Sequence, residues 1–183
     1  LRQSPDVVLV GEMRDQDTVF SALMAAETGH LVITTLHTID PPHAVERTVN
    51  FFPPFQHREV QLQLSHVLQG ILSQRLLVRA DGEGRIPAVS ILLGTPTVKK
   101  FIKEGKLWEL YDLQDKGKIF GMRTFNQDLL LLFRKGRITE EEALRHCDAP
   151  EEFHLALSGF TSGPGTFGEG AEEGEAPGEH QTV

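Results

Sequence analysis

Glu12, Arg14 and Asp15 follow closely on the apolar run Val7–Val10, and His37 and Thr38 follow directly on a second run, Leu31–Leu36. A carboxylate and an imidazole in such places are not core filler. An acid just past a buried strand is where nucleotide hydrolases hold Mg²⁺ beside the phosphates, directly or through water. An imidazole at the end of a neighbouring strand can donate to a phosphate oxygen, or report whether a γ-phosphate is present. The plain alternatives are a solvated acid and a structural histidine at two strand ends. Spacing alone leaves both open.

The elements that must position these groups are legible around them. Val-Val-Leu-Val shows no alternation, as expected of a strand covered on both faces. A helix is predicted from about Asp17 to Thr28, with Phe20, Leu23, Met24 and Glu27 at helical spacing and Gly29 as the stop signal. Phe20 and Met24 are expected in the core. Two strands around one helix make a parallel βαβ unit. In such sheets the strand C-termini share an edge, and ligands bind there.

The complete strings are far more specific than their parts. Leu1–Asp15 reads Leu-Arg-Gln-Ser-Pro-Asp-Val-Val-Leu-Val-Gly-Glu-Met-Arg-Asp, followed by Ala-Ala-Glu-Thr-Gly-His-Leu-Val at 25–32 and Thr-Leu-His-Thr at 35–38. This pattern resembles the secretion ATPase superfamily, the hexameric motors of type II secretion and type IV pili. It is most similar to the pilus-retraction branch, the PilT-type twitching motility ATPases. In that family the first string is the Walker B region and the second the His box. The resemblance implies an α/β fold, the C-terminal part of a RecA-like P-loop NTPase core followed by a small helical subdomain. It also implies ATP and Mg²⁺ as cofactors, with Glu12 catalytic and holding Mg²⁺ directly or through water. His30 and His37 become catalytic His-box residues, and Gly11, Glu12 and His37 line the nucleotide. The likeness runs from Leu1 to about Phe153. Arg2 is expected on the surface.

Further along, Asp40 is placed to cap a short helix through Ala44–Asn50, with Pro41 in its first turn. Phe51-Phe52-Pro-Pro-Phe55 breaks the chain. A helix is predicted from Gln56 to Gln74, striped by Val60, Leu64, Val67, Leu68, Ile71 and Leu72. Leu76–Arg79 and Ile86–Leu93 read as a hairpin about the turn Asp81–Gly84. Extension and secretion members of the superfamily carry a cysteine-rich zinc insert near this point, and a bare turn favours the retraction branch. Thr97–Glu104 (Thr97, Val98, Lys99, Lys100, Phe101, Ile102, Lys103, Glu104) is amphipathic, with lysines opposite an apolar face. It resembles the Ala-Ile-Arg-Asn-Leu-Ile-Arg-Glu signature of retraction ATPases, with Lys where that signature has Arg. A functional surface is expected here, and a solvated basic face is the plain alternative. Helices are predicted at Leu107–Leu113 and Thr124–Lys135, and from a capping box at Thr139–Glu142 through His146. Cys147 reads as a packing residue. The expected organisation is 1–93 ATPase core, 94–158 helical subdomain, and 159–183 acidic disordered tail.

Composition excludes several classes. The chain has 183 residues, 39% apolar and 24% charged, enough for a real core. One cysteine rules out a disulfide framework or a tetracysteine zinc site. The longest apolar cluster, Leu129–Phe133, is five residues, far short of a bilayer span. No signal peptide is visible. The formal charge is −8, of which the tail supplies −5 through Glu169, Glu172, Glu173, Glu175 and Glu179. Nucleic acid is therefore not an expected partner.

No Gly-x-x-x-x-Gly-Lys-[Ser/Thr] phosphate loop occurs in the sequence, and the chain does not begin with Met. The expectation is a C-terminal portion of a longer motor, inactive by itself, with the phosphate loop and a second acidic motif upstream. The resemblance further implies a homo-hexamer that works on an inner-membrane pilus platform protein. Its place would be cytoplasmic, peripheral to the inner face of the bacterial cytoplasmic membrane, without insertion. Two alternatives stand beside pilus retraction: a pilus-extension or type II secretion ATPase, and a non-catalytic truncated paralogue acting as an interaction module.

Overall fold

A computed structural model describes residues 5–158 of the chain. The expectations for Arg2 and for the acidic tail lie outside those residues. β1 (Val7–Val10), α1 (Gln16–Glu27) and β2 (Leu31–Thr34) form the anticipated βαβ unit. The two strands pair in parallel, Val7 opposite Leu31 through Val10 opposite Thr34. Asp15 starts α1, its Oδ1 accepting from the Thr18 N–H at 2.8 Å. Gly29, at φ 97°, turns the chain back toward β2.

Two expectations fail here. The buried face of α1 is Val19, Ala22 and Leu23, while Phe20 and Met24 are exposed. The apolar stripe is wider than one contact face, and packing against α3 and β2 selects the half centred one residue earlier. The strands are also not covered on both faces. Val7, Leu9, Leu31 and Ile33 are exposed, whereas Val10 and Val32 pack against the core. Successive strand residues point to opposite faces, and the described residues cover only one of them.

α2 (Pro41–Asn50) is capped by Asp40 as expected. The predicted 56–74 helix is really two elements, α3 (His57–Val67) and the start of β3 (Gly70–Val78). Leu68 leaves helical conformation at ψ 123°, and Ile71 and Leu72 belong to the strand. The reason is long-range. Nine residues of β3 find nine partners on β4 (Arg85–Leu93), an antiparallel ladder that continued helix would forfeit. The connection is a bare turn in which the Asp81 carboxylate accepts from the Glu83 N–H at 3.0 Å.

The remainder is helical: α4 (Pro96–Glu104), α5 (Glu109–Lys116), α6 (Phe125–Arg134), α7 (Glu140–His146) and α8 (Pro150–Leu157). No sequence signal had marked α8. The capping box at Thr139 is half present. Its side chain caps α7, but Glu142 accepts from the Val78 N–H of β3 at 2.7 Å instead of closing the box. The reciprocal box forms at Thr124 and Gln127.

Two apolar cores result. The first gathers α1, α2 and α3 with Leu92, Val98, Ile102, Leu110 and Met122. The second gathers α6, α7 and α8 around Leu77 and Ala88 at the other end of the hairpin, and Cys147 packs against it as anticipated. Arg75 spans the boundary. Its guanidinium lies 3.8 Å over the Phe125 ring, donates to the His146 carbonyl at 2.7 Å and to the Ile39 carbonyl at 3.4 Å, and pairs with Asp148 at 2.7 Å. Among the described residues no helix is long and apolar enough to cross a membrane.

Gly94 sits where the hairpin meets the end of α3, and a Cβ there would stand 2.1 Å from the Leu68 carbonyl oxygen. Gly94→Ala must therefore push backbone apart, and it is expected to cost about 1–3 kcal/mol. A urea melt of the variant beside the parent checks this; equal midpoints would show the contact to be compliant.

Candidate functional site

The parallel register brings Glu12 and His37 together. Beyond the ladder the Met13 N–H donates to the Thr35 carbonyl at 3.1 Å, and the Thr35 hydroxyl donates to the Gly11 carbonyl at 2.6 Å. These two bonds hold the segments past β1 and β2 side by side. Glu12 then accepts from Arg14 Nε at 2.6 Å through Oε2, while its Oε1 lies 3.1 Å from His37 Nε2. The Glu12 side chain is 21% exposed, against 76% for Arg14 and 86% for His37. The carboxylate is thus shielded, and its two partners are open to solvent.

Hydrogen bonding to Arg14 holds the Glu12 carboxyl below its ordinary range, partial desolvation opposes this, and the charges of Arg14 and His37 add to the lowering. Reciprocally, Arg14 is raised, chiefly by the same hydrogen bond. Glu12 therefore stays ionised across the neutral range. The stabilisation from this pairing is present above the ordinary glutamate pKa and is lost as pH falls through the lowered value.

Sequence reasoning had not given Arg14 a role. The available signal was Glu-x-Arg just past a strand, where extended backbone sends residues i and i+2 to the same side. Thr34 was missed as well. It ends β2 opposite Val10, and its hydroxyl is buried with no hydrogen-bond partner among the described residues. Gly11 faces open space: a Cβ there would meet nothing within 4 Å.

His30 stands elsewhere. It precedes β2, so it lies at the opposite end of the strand from His37 and beside the start of β1, where the Leu31 N–H bonds the Asp6 carbonyl. Its Nδ1 is 2.9 Å from the Ala25 carbonyl, which can only accept, so the ring proton is on Nδ1. The Thr28 hydroxyl is 3.1 Å from the same nitrogen. Within this chain His30 is bonded to the end of α1 and does not reach Glu12.

Thr97–Glu104 forms most of α4, as anticipated. Val98 and Ile102 are fully buried, Phe101 is half-buried, and Thr97, Lys100, Lys103 and Glu104 are exposed. Lys99 Nζ donates to the His66 carbonyl at the end of α3, 3.2 Å away. Glu104 bridges Lys106 at 2.8 Å and Lys100 at 4.0 Å.

The fit to Mg²⁺ follows from the donor types. No group of three or more His, Cys, Asp or Glu able to hold a metal occurs among the described residues. Mg²⁺ takes one or two carboxylates and leaves its other positions to water and phosphate oxygens. An ionised Glu12 and the orphan Thr34 hydroxyl are both hard oxygen donors.

Fold and strand-edge site together define an α/β protein of the secretion ATPase type, the class over whose members this chain's likeness extends. Residues 1–116 match the family model described as type II/IV secretion system protein, and the chain belongs to that family. It is 40% identical over 157 residues to the type IV pilus ATPase PilU of Pseudomonas aeruginosa, covering 86% of this chain and 41% of that protein. It is 42% identical over 153 residues to the pilus retraction ATPase PilT of the same organism, covering 84% of this chain and 44% of PilT. A crystal structure of the pilus retraction motor PilT with bound ADP superposes at TM-score 0.74 and 44% identity, over 83% of this chain and 42% of that one. The chain thus spans about two fifths of the length of these relatives.

Replacing Arg14 by Ala is expected to raise the Glu12 titration midpoint toward the ordinary glutamate value, and by more than replacing His37 by Ala does. Carboxyl NMR titration of the two variants reads this directly; the opposite ranking would mean that Arg14 is not the principal partner.

Proposed function

We propose that this chain is the C-terminal portion of a hexameric ATPase motor that powers type IV pilus retraction and twitching motility through Mg²⁺-dependent ATP hydrolysis. The observation that carries the reading is the Glu12–His37 contact at 3.1 Å, at adjoining parallel strand ends, in a chain that resembles PilT through both cores. The bare β3–β4 turn, in a chain with one cysteine, supports retraction over extension or type II secretion.

The roles follow from the geometry. Glu12, an ionised hard oxygen donor, would hold Mg²⁺ directly or through an ordered water, giving up its bond to Arg14 or to His37 to do so. Mg²⁺, when bound, neutralises charge on the phosphates. Gly11 leaves the approach to the strand edge open for nucleotide. His37, exposed and bonded to Glu12, can exchange that bond for a phosphate oxygen and so distinguish nucleotide states. His30 would act through α1, to whose last turn it is bonded. We further infer that residues 1–93 belong to the ATPase core, 94–158 to a helical subdomain and 159–183 to an acidic tail. The motor would lie at the cytoplasmic face of the inner membrane, with Thr97–Glu104 meeting the pilus platform protein.

In the full-length protein, Glu12→Gln is expected to lower ATP turnover at least a hundredfold while hexamers still assemble; unchanged turnover would remove Glu12 from the site. The 183-residue chain by itself is expected to show no turnover, since it has no phosphate-gripping loop. A null strain should lose retraction but keep its pili; loss of pili would favour extension, and turnover-free assembly into a partner's ring would favour an interaction module.

A further inference from the structure

Three side chains that the proposed hydrolysis does not use meet just past His37. They are Asp40 and His43, at the start of α2, and Tyr111 on α5. Asp40 Oδ1 caps α2 by accepting from the His43 N–H at 2.9 Å. Both oxygens of the same carboxylate lie 2.9 Å from His43 Nδ1. A carboxylate accepts only, so Nδ1 carries the ring proton. The Tyr111 hydroxyl is 2.8 Å from that nitrogen, and its ring stands edge-on to the imidazole with centroids 6.0 Å apart. The hydroxyl oxygen therefore accepts from the N–H that Asp40 shares. Burial first, then the charges of Asp40, Glu46 and Asp148, pushes the Tyr111 hydroxyl up to about 12, so it stays protonated. The contact is thus a constant hydrogen bond between α5 and the start of α2.

The chain from the strand edge to this cluster is short. Thr35 is bonded to Gly11 and to Met13, and Leu36 packs against the first core. Asp40 is fixed at α2, where Pro41 and Pro42 are buried and have their φ preset. Only His37, Thr38 and Ile39 lie between Leu36 and Asp40, a span of at most about 14 Å. Within it, the Ile39 carbonyl accepts from Arg75 at 3.4 Å. His37 is 86% exposed, so packing does little to place it. The two ends of the span set where its ring can reach.

We infer that Tyr111, acting through His43 and Asp40, is a positioning residue for His37. It steadies the far end of the span, so that the imidazole is presented to Glu12. The inference rests on the proposed ATPase reading and adds to it a side chain of the helical region that bears on the strand-edge site. Tyr111 and His43 are both partly in solvent, so deleting the hydroxyl alone leaves folding largely intact.

The test uses the full-length protein, isotope-labelled at histidine Cε1 and observed by NMR without nucleotide. The His37 resonance is identified by its absence in His37→Gln. Tyr111→Phe removes the hydroxyl and keeps the ring, and a melt beside the parent checks that it folds. The expected result is a displaced His37 resonance with the His30 resonance unmoved, because His30 is bonded to α1 at the opposite end of β2. His43→Gln should displace the His37 resonance likewise. In ATP turnover, Tyr111→Phe is expected to lower kcat about three- to tenfold, the worth of one hydrogen bond, with KM changed less than about twofold. In a His37→Gln background it should lower kcat no further. A His37 resonance that stays in place, or an equal loss of kcat with and without His37, would overturn the inference. A parent without turnover would count against the motor reading alone, since the resonance still decides whether Tyr111 positions His37.

Discussion

Everything at the site depends on the parallel pairing of two four-residue strands. A parallel pair has no hairpin to fix its register, so the register must come from the connection and from side-chain packing. Here α1 supplies both. Asp15 starts the helix immediately after the Glu12 segment, Gly29 returns the chain, and Val19, Ala22 and Leu23 press one side of α1 into the core. The pairing then extends past its last ladder residues through the bonds joining Met13 to Thr35 and Thr35 to Gly11. Without those two bonds, Glu12 and His37 would sit on independent loops.

The charge logic of the site is equally local. Glu12 is shielded but not deeply buried, so its ionisation is governed by a hydrogen bond rather than by desolvation. That arrangement leaves both carboxylate oxygens bonded to cationic or hydrogen-bonding neighbours at neutral pH. Both partners, Arg14 and His37, are largely in solvent, where exchanging either bond for one to water costs little.

The βαβ unit was legible in the sequence because its pattern is strong: two short apolar runs around a helically spaced stripe with a glycine stop, although the Asp15 cap was not read from it. The closeness of Glu12 and His37 was legible for the same reason, since His37 directly follows one run and Glu12 follows the other after a single glycine. What was not legible depended on distant partners. The apolar spacing from Val60 to Leu72 satisfies a helix throughout, and only the nine-residue pairing with β4 decides that Gly70 onward is strand. Glu142 carries the local signature of a capping box, but its carboxylate serves a strand N–H sixty-four residues away in sequence. Phe20 and Met24 satisfied helical periodicity, yet periodicity does not say which side of a broad stripe will meet α3. His30 and His37 look alike in sequence, and only the strand between them separates them to opposite edges.

Arg75 gives the molecule a property that its two cores would otherwise lack. One planar group touches β4's neighbour helix α6 through Phe125, the end of α7 through the His146 carbonyl, Asp148 just beyond it, and the Ile39 carbonyl two residues past His37. A single rigid, planar fork thus joins points that are far apart in sequence. The second core and the hairpin share one side chain with the segment just past His37.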